Sequence, residues 1–409
     1  MSFALGVVLF AVGIGLSVAL HEFGHLLTAK AFGMKATRYF IGFGPTLFSF
    51  RRGETEYGLK AVPAGGFVAI SGMSRAEAVP PADEHRAFWR FPAWQRTVVL
   101  AAGSLTHFGV AILLIYVAAM TAGLPARALV GEIQPCVTSQ TSPTAALPEC
   151  GTAGTADQVA PAAQAGLRAG DRLVSIDGQQ VGSYLDILTA VRSRPGETVP
   201  VTYVRDGVEQ TVTVRIAEVR RAPLQGETAD ADGLRSVGAI GVAPGPATER
   251  FGPLAAIGQS ARFTGSLFSA TATAIANFPE KVPSLFRALS GEQRDPDGPV
   301  SVVGASRAGG QAIEAGAALV FVLLLAGFNI FIGVFNLFPL LPLDGGHIAV
   351  LWFERARSRL ARALGRRDPG PVDLNKLVPL TVLVIVVFGG ISVMAILADI
   401  VNPIANPFQ

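Results

Sequence analysis

Four stretches of this chain are long and apolar enough to cross a lipid bilayer, and they constrain its fold more than any other feature. A crossing needs about 20 predominantly apolar residues. Composition agrees, because only 15% of the 409 residues are charged, against about 25% in soluble domains. The sequence therefore predicts a multi-span α-helical membrane protein. The predicted spans are Phe3–Leu20 with the residues that follow it, Val98–Met120, Ala315–Pro339 and Leu377–Leu397.

The distribution of basic residues predicts how these spans are oriented. The segment between the first two spans and the link between the last two are rich in Lys and Arg, and such segments stay on the cytoplasmic side. The termini and residues 122–312 are then expected outside. The first span has no basic segment before it, so we expect it to be retained and not cleaved as a signal peptide. No Lys/Arg-rich run with interleaved aromatic residues supports a nucleic-acid partner.

A metal-binding pattern lies at the end of the first span. In His21-Glu22-Phe23-Gly24-His25 the two imidazoles are four residues apart, so they share one face of a helix. Both can then bind one metal ion while Glu22 acts on water at that ion. The alternative is a pair of solvated histidines at a helix end. Because a catalytic zinc usually takes three protein ligands, a third ligand is expected from elsewhere in the chain.

The candidate third ligand is Asp344, in the stretch FNLFPLLPLDGGH after the third span. It is the only acidic residue between Glu314 and Glu354, and an isolated carboxylate in an apolar region indicates a functional site. The first and third spans are expected to run in the same direction, with both motifs toward their cytoplasmic ends. The pairing of Asp344 with the two histidines is therefore geometrically possible.

The outer segment carries the pattern of a separate domain. PAAQAGLRAGDRLVSIDGQQV, a helix at Tyr184–Ser193 and two further strands joined by Arg205-Asp206-Gly207 resemble a PDZ domain of the bacterial protease type over about 127–245. Such a module binds peptide ends by strand addition.

Two other features of the outer segment leave alternatives open. Cys136 and Cys150 lie before the PDZ-like turn, where an outer compartment permits a disulfide; two unrelated thiols or a metal pair are the alternatives. Residues 246–312 are predicted to be an amphipathic helix on the outer leaflet or a loose connector.

The paired motifs HEFGH and NLFPLLPLDGGH resemble those of the site-2 protease family (peptidase M50) of intramembrane zinc metalloproteases. The chain is most similar to the bacterial regulator-of-sigma-E protease branch, in the actinobacterial type with a single PDZ domain. IGFGP, EYGLKAVPAGGFVAISG and GPVSVVG agree with this branch. The resemblance implies a membrane-associated β-hairpin region after the first span and an extracytoplasmic PDZ (α+β) domain. The implied segments are the first span with its motif (1–32), the β region and connector (33–95), the second span (96–122), the PDZ domain (123–245), the linker (246–312), the third span (313–347), a basic loop (348–376) and the fourth span (377–402).

The resemblance also implies roles for individual residues and partners. It makes His21, His25 and Asp344 zinc ligands and Glu22 the general base. Asn336 and Pro339 match positions that contact the unwound substrate segment and support the aspartate loop; their alternative role is only to end the span. The implied substrates are single-span proteins of the bacterial cell membrane, such as anti-sigma factors.

Two histidines and one rival function remain open. His107 stands where the family often has Asn; we expect an interior histidine bonded to a neighbouring helix, with a donor at the site as the alternative. His347 would either support Asp344 or lie in a solvated loop. The rival function is a catalytically inactive PDZ scaffold in the membrane with a structural metal site, which would need a fourth protein ligand.

Overall fold

The structure is a computed structural model in which residues 2–73, 77–125, 128–143, 145, 147–151, 158–182, 184–224, 228–244, 248–292, 294–295 and 298–404 are described. The chain divides into two compact units, one made of Met1–Thr121 with Gly252–Gln409 and the other of Ala122–Phe251. The α-helices of the described residues are α1 Ser2–Ala31, α2 Ala93–Thr121, α3 Pro161–Gln164, α4 Tyr184–Arg192, α5 Pro253–Leu289, α6 Val302–Glu314, α7 Ala318–Asn336, α8 Asp344–Ala363 and α9 Val378–Val401.

Four of these helices, α1, α2, α7 and α9, are long and apolar enough to cross a membrane. Each of the four predicted spans therefore corresponds to a candidate spanning helix, although the ends differ. Helix α1 continues eleven residues beyond Leu20 without a break, so the whole HEFGH motif lies on one helix. Helix α7 ends at Asn336, three residues before Pro339.

Helices α1 and α2 approach each other closely beside the HEFGH motif. Gly24 on α1 permits this contact, since a Cβ atom there would lie 2.4 Å from Thr106 Oγ1 and 2.8 Å from the Ala102 carbonyl oxygen. Such separations are too short for any side chain, and small residues are the usual means of close helix approach in membranes. The crossing brings the backbone of α2 against the two histidines.

The segment after α1 forms two strands, β1 Ala36–Arg52 and β2 Thr55–Ile70, with the expected turn in RRGET. Residues 38–41 pair with 66–69 on one side and with 56–59 on the other. Gly42 and Gly44 have φ values of +87° and +82°, which only glycine adopts readily, and they let β1 bend back. Among the described residues, 66–70 therefore forms one edge of a small sheet.

This sheet is held against the end of α1. The Tyr39 hydroxyl donates a hydrogen bond of 2.8 Å to the Ala19 carbonyl oxygen. A buried apolar cluster then joins the end of α1, the sheet, the start of α2 and the start of α8; its fully buried members include Leu26, Met34, Ile70, Phe88 and Leu351. The sheet edge is thus fixed next to the motif.

Residues 253–289 form the long helix α5, which contacts α2, α7 and α9. Helix α6 packs along α1, where Gly6 approaches Gly310 so closely that a Cβ on Gly6 would lie 2.8 Å from the Gly310 Cα. Residues 253–289 and 302–314 are therefore regular helices, which corresponds to the helix of the two alternatives for this segment.

The second unit is built on a four-stranded sheet in which residues 208–215, 198–205, 172–176 and 179–180 lie side by side in that order. Its Asp177-Gly178 and Asp206-Gly207 turns have positive φ at both positions, as tight hairpin turns require. Cys136 and Cys150 form a disulfide in this unit. The strands of the described residues here are β3 Leu124–Pro125, β4 Val130–Ile133, β5 Cys136–Val137, β6 Gln158–Val159, β7 Arg172–Ile176, β8 Gln179–Gln180, β9 Thr198–Arg205, β10 Val208–Arg215, β11 Ala217–Arg221, β12 Arg235–Ala239, β13 Val242–Pro244 and β14 Thr248–Glu249.

Candidate metal centre

Three side chains from two distant parts of the chain meet at one point. The Nε2 atoms of His21 and His25 lie 3.1 Å apart. Asp344 Oδ2 lies 3.4 Å from His21 Nε2 and 3.5 Å from His25 Nε2. Both histidines are buried, at 7% and 8% exposure. Among the residues that the structure describes, this is the one group of three or more His, Cys, Asp or Glu side chains arranged to hold a metal ion.

The spacing of these three atoms fits a zinc ion. Ligands placed tetrahedrally about zinc at about 2.0–2.1 Å lie about 3.3 Å from one another, and the observed distances are 3.1, 3.4 and 3.5 Å. The donor set of two imidazoles and one carboxylate is also one that zinc accepts. Three protein ligands leave a fourth position open, as catalytic zinc sites do.

His25 is oriented by the backbone of α2. Its Nδ1 lies 2.7 Å from the Val99 carbonyl oxygen, and a carbonyl oxygen can only accept. Nδ1 must therefore carry the proton, which leaves the lone pair of Nε2 directed at the cluster. A metal-binding histidine commonly has such an acceptor behind it.

Asp344 reaches the cluster because the chain folds back sharply after α7. Helix α8 begins at Asp344 itself, and the loop before it packs directly on the first turn. Gly345 makes this possible, since a Cβ there would lie 2.1 Å from the Leu337 carbonyl oxygen. Gly346 is equally restricted, with its Cβ position 2.5 Å from the Leu340 carbonyl carbon. The two glycines after Asp344 are therefore what allow the loop to present the carboxylate.

Glu22 lies between the histidine cluster and the sheet. It is half-buried, and its Cγ would be only 3.0 Å from a Cβ on Gly66, in the edge segment of the sheet. The carboxylate thus lies where an extended segment added to this edge would pass. Glycine at position 66 keeps that approach open.

The α2 helix passes the histidines at Gly103. A Cβ on Gly103 would lie 2.4 Å from His21 Cε1 and 2.5 Å from His25 Nε2. One turn further along, His107 is 1% exposed, and its Nδ1 lies 2.8 Å from Asn329 Oδ1 on α7. The His107 ring centroid is 5.0 Å from that of His21. This geometry agrees with the expected interior histidine bonded to a neighbouring helix.

The remaining predicted residues lie near the aspartate loop. Asn336 is the last residue of α7 and is half-buried, whereas Pro339 is exposed in the loop that follows. His347 lies in the first turn of α8 and is half-buried, so a solvated loop position is not what the structure has.

Several residues at the site went unpredicted from the sequence. The Val99 carbonyl and the close approach at Gly103 could not be predicted from residue types, because both depend on the backbone. Asn329 could have been identified as a candidate, because an amide within an apolar span needs a partner. It is fully buried, and its Nδ2 donates to the Leu325 carbonyl oxygen at 2.8 Å.

Comparison with known proteins agrees with this geometry. The family described as peptidase family M50 matches residues 9–366, a range that contains all three candidate ligands. The chain belongs to this family. Its relatives include "Zinc metalloprotease Rip1" of Mycobacterium bovis BCG, which is 42% identical over 99% of both chains. "Zinc metalloprotease Rip1" of Mycolicibacterium smegmatis is 40% identical over 99% of both chains, and a putative zinc metalloprotease of Brucella suis is 30% identical over 81% of each.

Membership of family M50 gives the cluster its chemical context. The matched range begins inside α1 and extends beyond α8, so the family covers the two helices that bring the histidines and the aspartate together. The disulfide of Cys136 and Cys150 also falls within it. The family and its relatives show a zinc metalloprotease, and the three clustered side chains lie within the matched range.

Proposed function

We propose that this chain is an intramembrane zinc metalloprotease that cuts peptide bonds within the transmembrane segments of single-span membrane proteins. One observation carries the proposal: His21, His25 and Asp344 meet with Nε2 and Oδ2 atoms 3.1–3.5 Å apart. Glu22 stands beside them, on a helix apolar enough to cross a membrane. Membership of peptidase family M50 and the names of its relatives support zinc and proteolysis.

The residues at the centre divide the reaction between them. His21, His25 and Asp344 would hold the ion, which lowers the pKa of water and polarises a carbonyl group. The Glu22 carboxylate takes a proton from the attacking water and delivers it to the leaving amine nitrogen, the usual role of a positioned carboxylate. Burial of both histidines keeps bulk solvent away from these transfers.

The substrate must be extended before it can be cut. A transmembrane helix hides its carbonyl groups in its own hydrogen bonds, so the scissile segment has to unwind. The edge formed by residues 66–70 can accept such a segment by strand addition, and Gly66 lies next to Glu22. Asn336 and Pro339, at the end of α7 and in the aspartate loop, are proposed to contact the unwound segment and to support the loop.

The second unit is proposed to be an extracytoplasmic PDZ domain. A cavity lies between α4 and strands β12 and β13; its lining includes Tyr184, Ile187, Val191, Val237, Ala239 and Val242. An apolar groove between a helix and a strand suits a peptide end. The domain would therefore bind a newly exposed end of the substrate or exclude bulky ones.

The location is proposed from the distribution of basic residues, and the substrate class from the family resemblance. Basic residues in the link between the last two spans and in the segment after α1 favour a cytoplasmic position for both. We propose a bacterial cell membrane with the amino terminus and the second unit outside. The substrate class, single-span regulators such as anti-sigma factors, rests on the family resemblance.

The rival function, an inactive scaffold with a structural metal site, is less well supported. A closed site needs four protein ligands, and the described residues bring three to the cluster. A carboxylate beside an open position suits hydrolysis and has no purpose in a purely structural site.

The test separates catalysis from metal binding. Glu22→Gln should abolish cleavage of a co-expressed single-span substrate while the purified chain keeps its zinc. Glu314→Gln, the same chemical change at an exposed position on α6, is the matched control and should cleave normally. Cleavage that persists in Glu22→Gln would show that the assigned mechanism is wrong.

The substrate itself can be identified with the same variant. Because Glu22→Gln keeps the binding site, a membrane protein that is cut by the parent chain should accumulate uncut and co-purify with the variant. Loss of that association on replacing Asn336 with Ala would support its contact with the unwound segment.

A further inference from the structure

The buried Nδ1 atom of His21 has no hydrogen-bond partner in the metal cluster. Its Nε2 faces the other two ligand atoms, so in a metal-binding neutral imidazole the proton is on Nδ1. That Nδ1 is buried, and no described atom forms a hydrogen bond with it. A buried donor without an acceptor is destabilising, because it has lost its hydrogen bond to water. His25 differs, because its Nδ1 donates to the Val99 carbonyl oxygen.

The nearest imidazole to His21 outside the cluster is that of His107. The two ring centroids are 5.0 Å apart, with the rings tilted by 46°. Two imidazoles joined by an N–H···N hydrogen bond have centroids about 5 Å apart, given a nitrogen–nitrogen distance of about 2.9 Å. His107 follows Gly103 by one turn of α2, and the missing side chain of Gly103 is what leaves space beside His21 Nδ1.

The tautomer of His107 is fixed by Asn329. The Asn329 Nδ2 donates to the Leu325 carbonyl oxygen at 2.8 Å, so the amide oxygen is the atom that faces His107. Oδ1 can only accept, and His107 Nδ1, at 2.8 Å, must therefore donate. The neutral ring then has its lone pair on Nε2 and is an acceptor there.

We propose that, when the metal is bound, a small rotation of the two neighbouring rings lets His107 Nε2 accept the Nδ1 proton of His21, so that His107 and Asn329 hold this ligand in its metal-binding tautomer and orientation. The chain of donors runs from His21 through His107 and Asn329 to the Leu325 carbonyl. His107 is thus a positioning residue that acts through His21. The proposal rests on the proposed metal site and deepens it. Replacing a residue that hydrogen-bonds to a metal ligand typically lowers metal affinity or activity 10- to 100-fold.

A rival acceptor lies close by in the chain. Ser104, next to Gly103, is fully buried, and its Oγ has no hydrogen-bond partner among the described residues. If Ser104 accepted the proton, His107 would be a packing residue only. The experiment therefore has to compare variants at both positions.

The experiment measures zinc affinity by chelator competition on the full chain in detergent, in the Glu22→Gln background so that no proteolysis intervenes. His107→Leu should weaken zinc binding about 10- to 100-fold, whereas His107→Gln, whose Oε1 can take the position of the Nε2 acceptor, should retain most of the affinity. Ser104→Ala should leave it unchanged. Wild-type affinity in His107→Leu, or the loss appearing in Ser104→Ala, would overturn the proposal.

A second comparison covers the case in which His107→Leu does not fold. Asn329→Asp keeps an acceptor for His107 Nδ1 and should bind zinc nearly normally, but Asn329→Leu should bind it more weakly. The double variant His107→Leu with Asn329→Leu should be no weaker than His107→Leu alone, because Asn329 acts through His107. Full additivity of the two losses would contradict this.

Cleavage distinguishes the failure of this inference from that of the proposed function. Without the Glu22 change, excess zinc should restore cleavage to His107→Leu. If the parent chain bound no zinc or cut no membrane substrate, the proposed function itself would be wrong. If the parent did both and the His107 variants matched it in zinc affinity, only the positioning role would be wrong.

Discussion

The close passage of α2 at the histidines makes Gly103→Ala the sharpest perturbation of the site. A Cβ at this position would lie 2.4 Å from His21 Cε1 and 2.5 Å from His25 Nε2, where ordinary contact begins at 3.4 Å. Helix α2 or the two rings must therefore move by about 1 Å to make room. Both metal ligands are affected at once by the addition of one methyl group.

The size of the effect follows from this displacement. Overpacking of this kind costs about 1–3 kcal/mol of folding free energy, which a four-span chain can tolerate. A shift of about 1 Å in a catalytic group costs about 100-fold in rate. We therefore expect Gly103→Ala to fold, to lose zinc affinity and to cut a single-span substrate about 100-fold more slowly than the parent.

The assay combines cleavage of a co-expressed single-span reporter with the zinc content of the purified chain. Gly109→Ala is the matched control on the same helix, since no described atom lies within 4 Å of its Cβ position, and it should behave like the parent. Parental zinc content and cleavage in Gly103→Ala would refute the close packing of α2 on the histidines.

Three further predictions test other parts of the fold. Gly345→Ala should lose zinc and cleavage, because its Cβ would meet the Leu337 carbonyl oxygen at 2.1 Å, whereas Gly327→Ala, with open space around its Cβ position, should retain both. Asp399→Ala should lower the free energy of unfolding by about 3–5 kcal/mol, seen as a lower Tm in detergent. In the parent chain Asp399 Oδ1 lies 2.9 Å from Nη2 of the buried Arg294, and the substitution leaves that guanidinium without its ion-pair partner. Replacing both Cys136 and Cys150 by Ser should destabilise the second unit by about 3 kcal/mol, since the disulfide closes a loop with a sequence separation of 14. An added protease should then digest the second unit faster, while the chain cleaves its own substrate at an unchanged rate. An unchanged rate of digestion by the added protease would contradict the prediction.

The helices that span the membrane could be predicted because apolar length alone identifies them. Their ends could not, because α1 and α2 extend beyond their most apolar part, whereas α7 is shorter than the apolar stretch that predicted it. Helix α2 begins at Ala93, five residues before the apolar stretch that predicted it. The regular helices after residue 252 were only one of two alternatives, because their few charges and scattered phenylalanines suit a surface helix and a connector equally.

The centre of the site could be predicted from residue types, whereas its supports could not. His21, Glu22 and His25 share a helix face by spacing alone, and Asp344 is recognisable as an isolated carboxylate. The supports depend on backbone positions, such as the Val99 carbonyl, that any residue could provide. Only folding brings them within reach.

The β segment after α1 was predicted with its turn but without its second pairing. Aromatic and β-branched residues indicated strands, and RRGET indicated the turn. The pairing of residues 38–41 on both sides depends on the positive φ values of Gly42 and Gly44. Glycine in a strand pattern suggests a bend without saying where the chain returns.

The central claim, that two imidazoles and one carboxylate hold zinc beside Glu22, is tested most directly by zinc K-edge X-ray absorption on the purified chain. The structure predicts two imidazole ligands with the remaining first neighbours all oxygen, and the same spectrum in Glu22→Gln. Asp344→Ala should lose the bound metal. A third imidazole in the spectrum, from His107 or His347, would contradict the open three-ligand site, as would zinc that stays bound in full after Asp344 is replaced.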